Sequence, residues 1–508
     1  MSGLFPFFTK LPYTLVRGAR KMGRGARKAA RWLLYVLLVL VAVHFLATLI
    51  TGRMLKAELD RLRDSGEPLT HAELAPSLPP GEVNAADIYQ QAFDSLRLSD
   101  TESLEVEDFN RVDDPAWLAL ARRVVSANAD YYSLLEQASQ TPSCAFPVDW
   151  EAGFAATFPH LAKMRQTARM LRVRAEVLAA DGDIDGAIAS CAVAFRLAEH
   201  IQMEPTLIAA LVGIAIEGIQ IPALERALSA GSPSPEAAHK LFNELGALDE
   251  TDPWARTMLG ERAGGLWTFR YLRQRSWREL TKDDGLVGDH LPWKAVSYRA
   301  YVSPIGRPLL NLDELSYLRA WEAFNEAVTL PWPESRNQVI EVQKSLDSLP
   351  IYRSVITQMI FPVFERARLS QTRASAQLRA AQIALAAVAY RAEHGGLPAS
   401  LDEMARDGWK VPSDPFGGGE YRYRREGDGF VVWSMGPDMD DDNAELDRRD
   451  PLRHEKARDK LDYDVVFRCR GPSEEDEIAR RGPPMVYGRG LRGPGWTARG
   501  PRGTAPGE

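Results

Sequence analysis

The chain has 508 residues, 45% hydrophobic and 26% charged, a composition that supports two or three domains with real cores. Its formal net charge is −7, but residues 1–31 carry eight basic side chains (Lys10, Arg17, Arg20, Lys21, Arg24, Arg27, Lys28, Arg31) and no acidic one, which leaves −15 on the remainder. An acidic body repels nucleic-acid phosphate, so nucleic acid is excluded as the main partner. The basic cluster suits an anionic cytoplasmic leaflet.

Residues 33–50 read LLYVLLVLVAVHFLATLI, apolar apart from His44 and Thr48, with Trp32 and Tyr35 at the near end. Eighteen such residues rise about 27 Å as a helix, close to the hydrocarbon thickness of a bilayer. The positive flank predicts a cytoplasmic N-terminus. The chain is therefore expected to be a single-pass protein of a bacterial inner membrane, anchored through residues 32–50, with its bulk in the periplasm. The alternative is a cleaved signal peptide, whose apolar core is usually shorter, and no clear A-x-A site follows here. His44 has no second ionisable group beside it in the apolar run and reads as a packing residue.

Leu55, Leu59 and Leu62 continue at helical spacing, so 51–81 is expected as a stalk or linker, interrupted by Pro76, Pro79, Pro80 and Gly81. From 82 to 364 the chain is rich in Ala, Leu, Arg and Glu, with apolar periodicity near 3.6, and is expected to be all helical. Turn clusters divide it at Asp181-Gly182-Asp183, Gly231-Ser232-Pro233-Ser234-Pro235, Thr251-Asp252-Pro253 and Pro331-Trp332-Pro333. Within it, 171–200 places Ala175 and Leu178 on one helical face, a turn at Gly182-Asp183, and Ala187 and Ala194 seven apart on the next helix. Small residues there let two antiparallel helices approach closely. The unit resembles a tetratricopeptide hairpin; a single helical hairpin in an irregular bundle reads equally well. Either favours a binding or scaffolding surface.

Past about 365 the pattern changes. A candidate helix over 366–394 carries Leu378, Ala381, Leu385, Val388 and Ala392 near heptad spacing and ends at His394-Gly395-Gly396, with Pro398 beyond. A short helix at 401–404 and the turn Asp414-Pro415-Phe416-Gly417 follow. Tyr421-Arg422-Tyr423-Arg424, Gly427-Asp428-Gly429 and Phe430-Val431-Val432-Trp433-Ser434 predict a hairpin. Met435-Gly436-Pro437-Asp438 then leads into Asp440-Asp441-Asp442, and Val465-Val466-Phe467 reads as a closing strand.

This order resembles the globular domain of type II secretion pseudopilins. The matching positions are Tyr390, Gly395 or Gly396, Pro398, Asp414-Pro415-Phe416-Gly417, Tyr421 and Tyr423, and Trp433-Ser434-Met435-Gly436-Pro437-Asp438. The resemblance covers about 100 residues and implies a small α+β domain over 365–469. A pseudopilin carries its apolar helix directly ahead of this domain, after a prepilin cleavage motif. Here the apolar helix lies over 300 residues upstream and no such motif precedes Leu33. Pseudopilins commonly bind calcium in the loop after the W-S-x-G-x-D segment. Carried over, this implies Ca²⁺ at Ser434 and Asp438, with Asp440, Asp441, Asp442 and Asp464 as further oxygen ligands. The run is not an EF-hand: Asn443 and Arg449 stand where the invariant Gly and Glu would be. The alternative is a solvated acidic loop. Residues 470–508, dense in Gly, Pro and Arg, are expected to be disordered.

Cys144, Cys191 and Cys469 form no C-x-x-C pair; a Cys144–Cys191 disulfide and three separate thiols are both compatible with the sequence. No H-E-x-x-H, G-x-S-x-G or G-x-x-x-x-G-K-[ST] occurs, and no histidines stand at ligand spacing. Glu204, Glu217 and Glu261 sit near apolar residues on helical stretches, where solvated or salt-bridged faces are the commoner reading. No catalytic residue is assigned. The sequence thus predicts a mostly α protein with a small C-terminal α+β domain and one transmembrane helix. Its expected function is a non-enzymatic envelope protein presenting a helical surface to a protein partner of unknown identity. The alternatives are an accessory subunit of a type II secretion or pilus-like apparatus, and an enzyme whose site is assembled from scattered residues of the helical domain.

Overall fold

A computed structural model of the chain describes residues 24–251, 253–274, 300–301, 303–330, 332–350, 353–417, 419–441, 443–444 and 464–471. The basic segment up to 23, Asp442 and the tail from 472 therefore lie outside the described residues. The described chain is mostly helical, with one small sheet.

Helix α1 (Arg24–Asp64) runs unbroken for 41 residues. It ends because Gly66 adopts φ +77°, which lets Glu67 N–H reach the Leu62 carbonyl at 3.0 Å and close the last turn. Residues 33–43 are exposed along their whole length. Beyond Ile50 the same helix enters the body: Thr51, Leu55 and Leu62 are buried. The leucines expected in a stalk thus pack into a core, because their spacing presents one continuous apolar stripe.

Helices α2 (Ala85–Ser95), α3 (Pro115–Ala127) and α4 (Ala129–Ser139) pack with α5 (Pro159–Ala180) and α6 (Ile184–Gln202) around Tyr89, Trp117, Tyr131 and Leu171. The α5–α6 turn uses Gly182 at φ +82°; Asp183 N–H reaches the Leu178 carbonyl at 2.9 Å, and the Asp183 carboxylate accepts Gly186 N–H at 2.9 Å to cap α6. Ala175, Ala187 and Ala194 are all fully buried, and the Ser190 hydroxyl donates to the Leu171 carbonyl across the pair at 2.9 Å.

Helix α7 (Leu207–Ala230) is long and apolar enough to cross a membrane, yet over half of its apolar stretch is buried inside the body. It packs on α5, α6 and α12 (Pro362–His394). Helix α8 (Pro235–Thr251) lies along α12. Apolar residues of α5 to α8, α12 and the sheet form one core, including Phe195, Leu224, Leu241, Leu385, Phe430 and Phe467. The segment 365–469 and the helices before it are therefore packed together.

Helices α9 (Trp254–Gln274), α10 (Arg307–Val328) and α11 (Trp332–Ser348) complete the body with α1. Their core holds Trp321, Phe324, Phe361 and Phe364 in edge-on contacts, joined by Leu55 and Leu62 of α1. Close α9–α10 approach depends on Gly265, where a Cβ would fall 2.1 Å from the Tyr317 hydroxyl oxygen. Asp313 is fully buried in α10 and accepts the Tyr301 hydroxyl at 2.5 Å, Ile356 N–H at 2.8 Å and the Thr357 hydroxyl at 2.6 Å. It caps the short helix Val355–Ile360 from a distance of over forty residues in sequence.

Helix α12 stops at Gly395, φ +75°, as its sequence predicts. Strands β1 (Arg422–Glu426), β2 (Gly429–Ser434) and β3 (Val465–Cys469) form an antiparallel sheet in that order, with Tyr423 opposite Val432 and Trp433 opposite Val466. All of β2 is buried: Phe430 and Val432 face α12, and Val431 and Trp433 pack with Ala444 on the other side.

Candidate functional site

The loop after β2 is built around a carboxylate that the calcium reading did not include. Asp414, 2% exposed, accepts the Ser434 hydroxyl at 2.8 Å, Phe416 N–H at 2.9 Å and Met435 N–H at 3.1 Å. The Asp414-Pro415-Phe416-Gly417 turn and the Trp433–Asp438 segment are thereby fastened together. Ser434 spends its proton on this bond, and its oxygen accepts Gly436 N–H at 3.2 Å. Asp438 is half-buried and Asp440 exposed, both on the turn. Asp441 accepts the Trp433 indole N–H at 2.9 Å and Asn443 N–H at 3.0 Å, with Arg422 at 3.5 Å. Those donors, the indole first, hold its carboxyl below the usual range. Asp464 is buried and accepts Ala444 N–H at 2.8 Å. Met439, Asn443 and Ala444 sit at positive φ, so the loop is tightly wound.

The calcium ligand set Ser434, Asp438, Asp440, Asp441, Asp442 and Asp464 is not assembled among the described residues. Its described carboxylates hold together strand ends and turns, and Asp442 lies outside what is described. The one cluster of ligating atoms among the described residues is Glu393, His394 and Asp407, all exposed, with His394 and Asp407 3.5 Å apart.

The three carboxylates noted in sequence lie around the α6–α7 connection, each with its own partner. Glu204 stands 2.7 Å from His160 Nε2, on whose ring Phe146 stacks at 4.2 Å. Glu261 accepts Leu207 N–H at 2.7 Å and so caps α7. Glu217 accepts the Gln202 amide N–H at 2.8 Å. They do not form an acid–base pair with each other.

Glu217 has the most chemical potential. With Gln202, Asp249, Trp254, Gln371 and Ser375 it lines a narrow cleft of about 30 Å³, partly open to solvent, where α6 to α9 meet α12. Burial pushes the Glu217 carboxyl up to about 7, and negative Asp249 adds to the rise. Asp249 is itself engaged by Arg379 Nε at 2.8 Å and by the Ser375 hydroxyl. Such a carboxyl exchanges a proton near neutrality, which is what a general acid or base requires. The narrow cleft offers it small groups at most.

At the same C-terminal end of α6, Tyr89 Oη lies 2.9 Å from His200 Nδ1; burial, aided by Arg196, pulls His200 down to about 4. The three cysteines are buried and none is in a disulfide; the Cys469 thiol donates to the Leu228 carbonyl at 3.1 Å. Burial raises Cys144 and Cys191 to about 12, where little reactive thiolate exists.

No protein-family profile matches the chain, and no curated protein or solved structure is significantly similar to it. The functional reading therefore rests on the residues themselves.

Sequence reasoning missed Arg172, Glu176, His160, Asp249 and Asp313. Arg172 and Glu176 are buried, 3.3 Å apart, and their i,i+4 spacing was the available signal; Arg226 Nε joins Glu176 at 3.1 Å. The other three find partners far away in sequence, and no local pattern marks them.

Proposed function

We propose that the chain is a single-pass protein of a bacterial inner membrane, with a cytoplasmic N-terminus and a periplasmic body that presents a helical surface to a protein partner, without catalysis of its own. The observation that carries this reading is α1: an apolar helix exposed over 33–43 that continues without a break into a packed body. A free apolar surface of that length is stable in a bilayer and unstable in water. The α5–α6 hairpin, with small residues at its contact, supports the reading as a tetratricopeptide-like unit of an interaction surface.

A reporter active only outside the cytoplasm tests the topology. It is expected to work when fused after Pro80 and to fail when fused before Trp32; the opposite pattern reverses the localisation. Crosslinking in cells with reagents of several lengths tests the partner. A reproducible second protein is expected, and recovery of this chain alone at every length removes the partner reading.

A second reading, an accessory subunit of a type II secretion or pilus-like apparatus, draws on the Asp414–Ser434 bond. It joins the two segments that carry the pseudopilin resemblance, beside the long helix α12. Replacing Ser434 by Ala in the chromosomal copy is then expected to impair export of at least one protein. An unchanged exported set counts against this reading.

A further inference from the structure

We infer that one corner of the body, the turn Pro304–Gly306 at the start of α10, is seated in the bilayer beside the anchor, its partner being the headgroup–acyl boundary of the leaflet on the body's side. This rests on the reading of 33–50 as a membrane span.

The geometry follows from how α1 and α10 lie together. Asn311 Nδ2 donates to Thr51 Oγ1 at 3.2 Å, and Arg61 pairs with Glu322 at 3.2 Å. Ten residues along α1 match eleven along α10, so the helices run parallel and in step. Thr51 directly follows the apolar run. Ile305 stands six residues before Asn311, and six residues rise about 9 Å along a helix. Ile305 is thereby level with Phe45 and Leu46, inside the run.

The burial pattern of α1 agrees. Residues 33–43 are exposed all round, whereas His44, Ala47 and Thr48 are partly covered, and they share a face with buried Thr51 and Leu55. The body therefore flanks the last two turns of the run. Ile305 is 78% exposed on this corner, with exposed Pro304 beside it. A single exposed isoleucine means little on a water-facing surface; at this height the surrounding medium is lipid. Just above it, Arg53 is exposed on α1 and Tyr271 on α9, the kinds of side chain that suit a headgroup layer.

The test places a spin label on the full chain reconstituted in phosphatidylethanolamine–phosphatidylglycerol vesicles, at I305C, L38C or E326C. The native cysteines are buried, so the introduced thiol takes the label. Glu326 is exposed on α10, fifteen residues past Asn311 and away from the bilayer. Collision with oxygen reports lipid, and collision with a water-soluble nickel chelate reports solvent. The oxygen-to-nickel ratio is expected to be several-fold higher at Ile305 than at Glu326, and high at Leu38. A ratio at Ile305 equal to that at Glu326, with Leu38 still in lipid, overturns the seated corner and leaves the anchor standing. A solvent-like ratio at Leu38 overturns the anchor and this inference with it.

Discussion

A buried carboxylate needs either a partner for its charge or a proton, and Glu217 accepts its hydrogen bond from the neutral Gln202 amide. Its folded-state pKa of about 7 lies above the ordinary 4.5, so the folded state holds a proton that the unfolded chain gives up. Stability from this group is fully present below about pH 4.5 and is lost as pH rises through 7. Glu217→Gln is therefore expected to leave stability near pH 4.5 almost unchanged and to raise it at pH 8 by on the order of 1–3 kcal/mol. Chemical denaturation of both proteins at the two pH values measures this. Glu176 and Glu225 are also raised to about 7 by burial, so the difference between variants, rather than the wild-type pH profile, isolates Glu217. Sequence singled out Glu217 because apolar residues surround it at helical spacing. It could not show that Asp249 faces the same cleft, since that depends on how α7 and α8 each pack against α12.

At the level of elements, the helix ends and the β1–β2 turn were the most legible features, because local chemistry sets them: Gly182, Gly395 and, in the hairpin, Gly427 all take the positive φ their turns require. The β1–β2 hairpin was legible for the same reason. The contact across α5–α6 invites a direct prediction. Ala187 and Ala194 are fully buried, so Leu at either position overpacks the pair and is expected to cost about 1–3 kcal/mol by urea denaturation. Full tolerance of both would mean that the helices can separate without loss. The loop after β2 was legible as a sequence of acids, and its chemistry was not. Asp441 and Asp464 are committed to an indole and a backbone N–H, partners that lie in the loop and the sheet. Calcium is accordingly expected to leave the melting temperature of the full chain where chelator leaves it. A calcium-dependent rise that Asp438→Ala removes would instead place the ion at the turn.

For the whole molecule, a chain of helices with a small sheet at one end could be read from periodicity, because the period of apolar residues follows the backbone. Which faces meet could not. Leu385 and Val388 announce a buried face on α12, but nothing near them says that α8 on one side and α7 on another will cover it. The change of pattern near 365 looks like a boundary in sequence, yet the core crosses it. Residues 366–469 produced alone would bare Leu378, Ile383 and Leu385 to water. They are expected to show no cooperative thermal transition by circular dichroism; a sharp melt would mean that this end folds without the helices it rests on.

One consequence of α1 is mechanical. Forty-one helical residues span about 60 Å. The point where they leave the apolar run is held by the Thr51–Asn311 bond, with Gly52 packed beside the same amide. If residues 33–50 span a bilayer, as proposed, anchor and body form a single lever with its fulcrum at the bilayer surface. A thinner bilayer tilts a helix of fixed length. A tilt of about 10° would swing a point about 50 Å away sideways by about 9 Å, the scale of one helix diameter. On that reading, the orientation of the body would register the thickness of the bilayer.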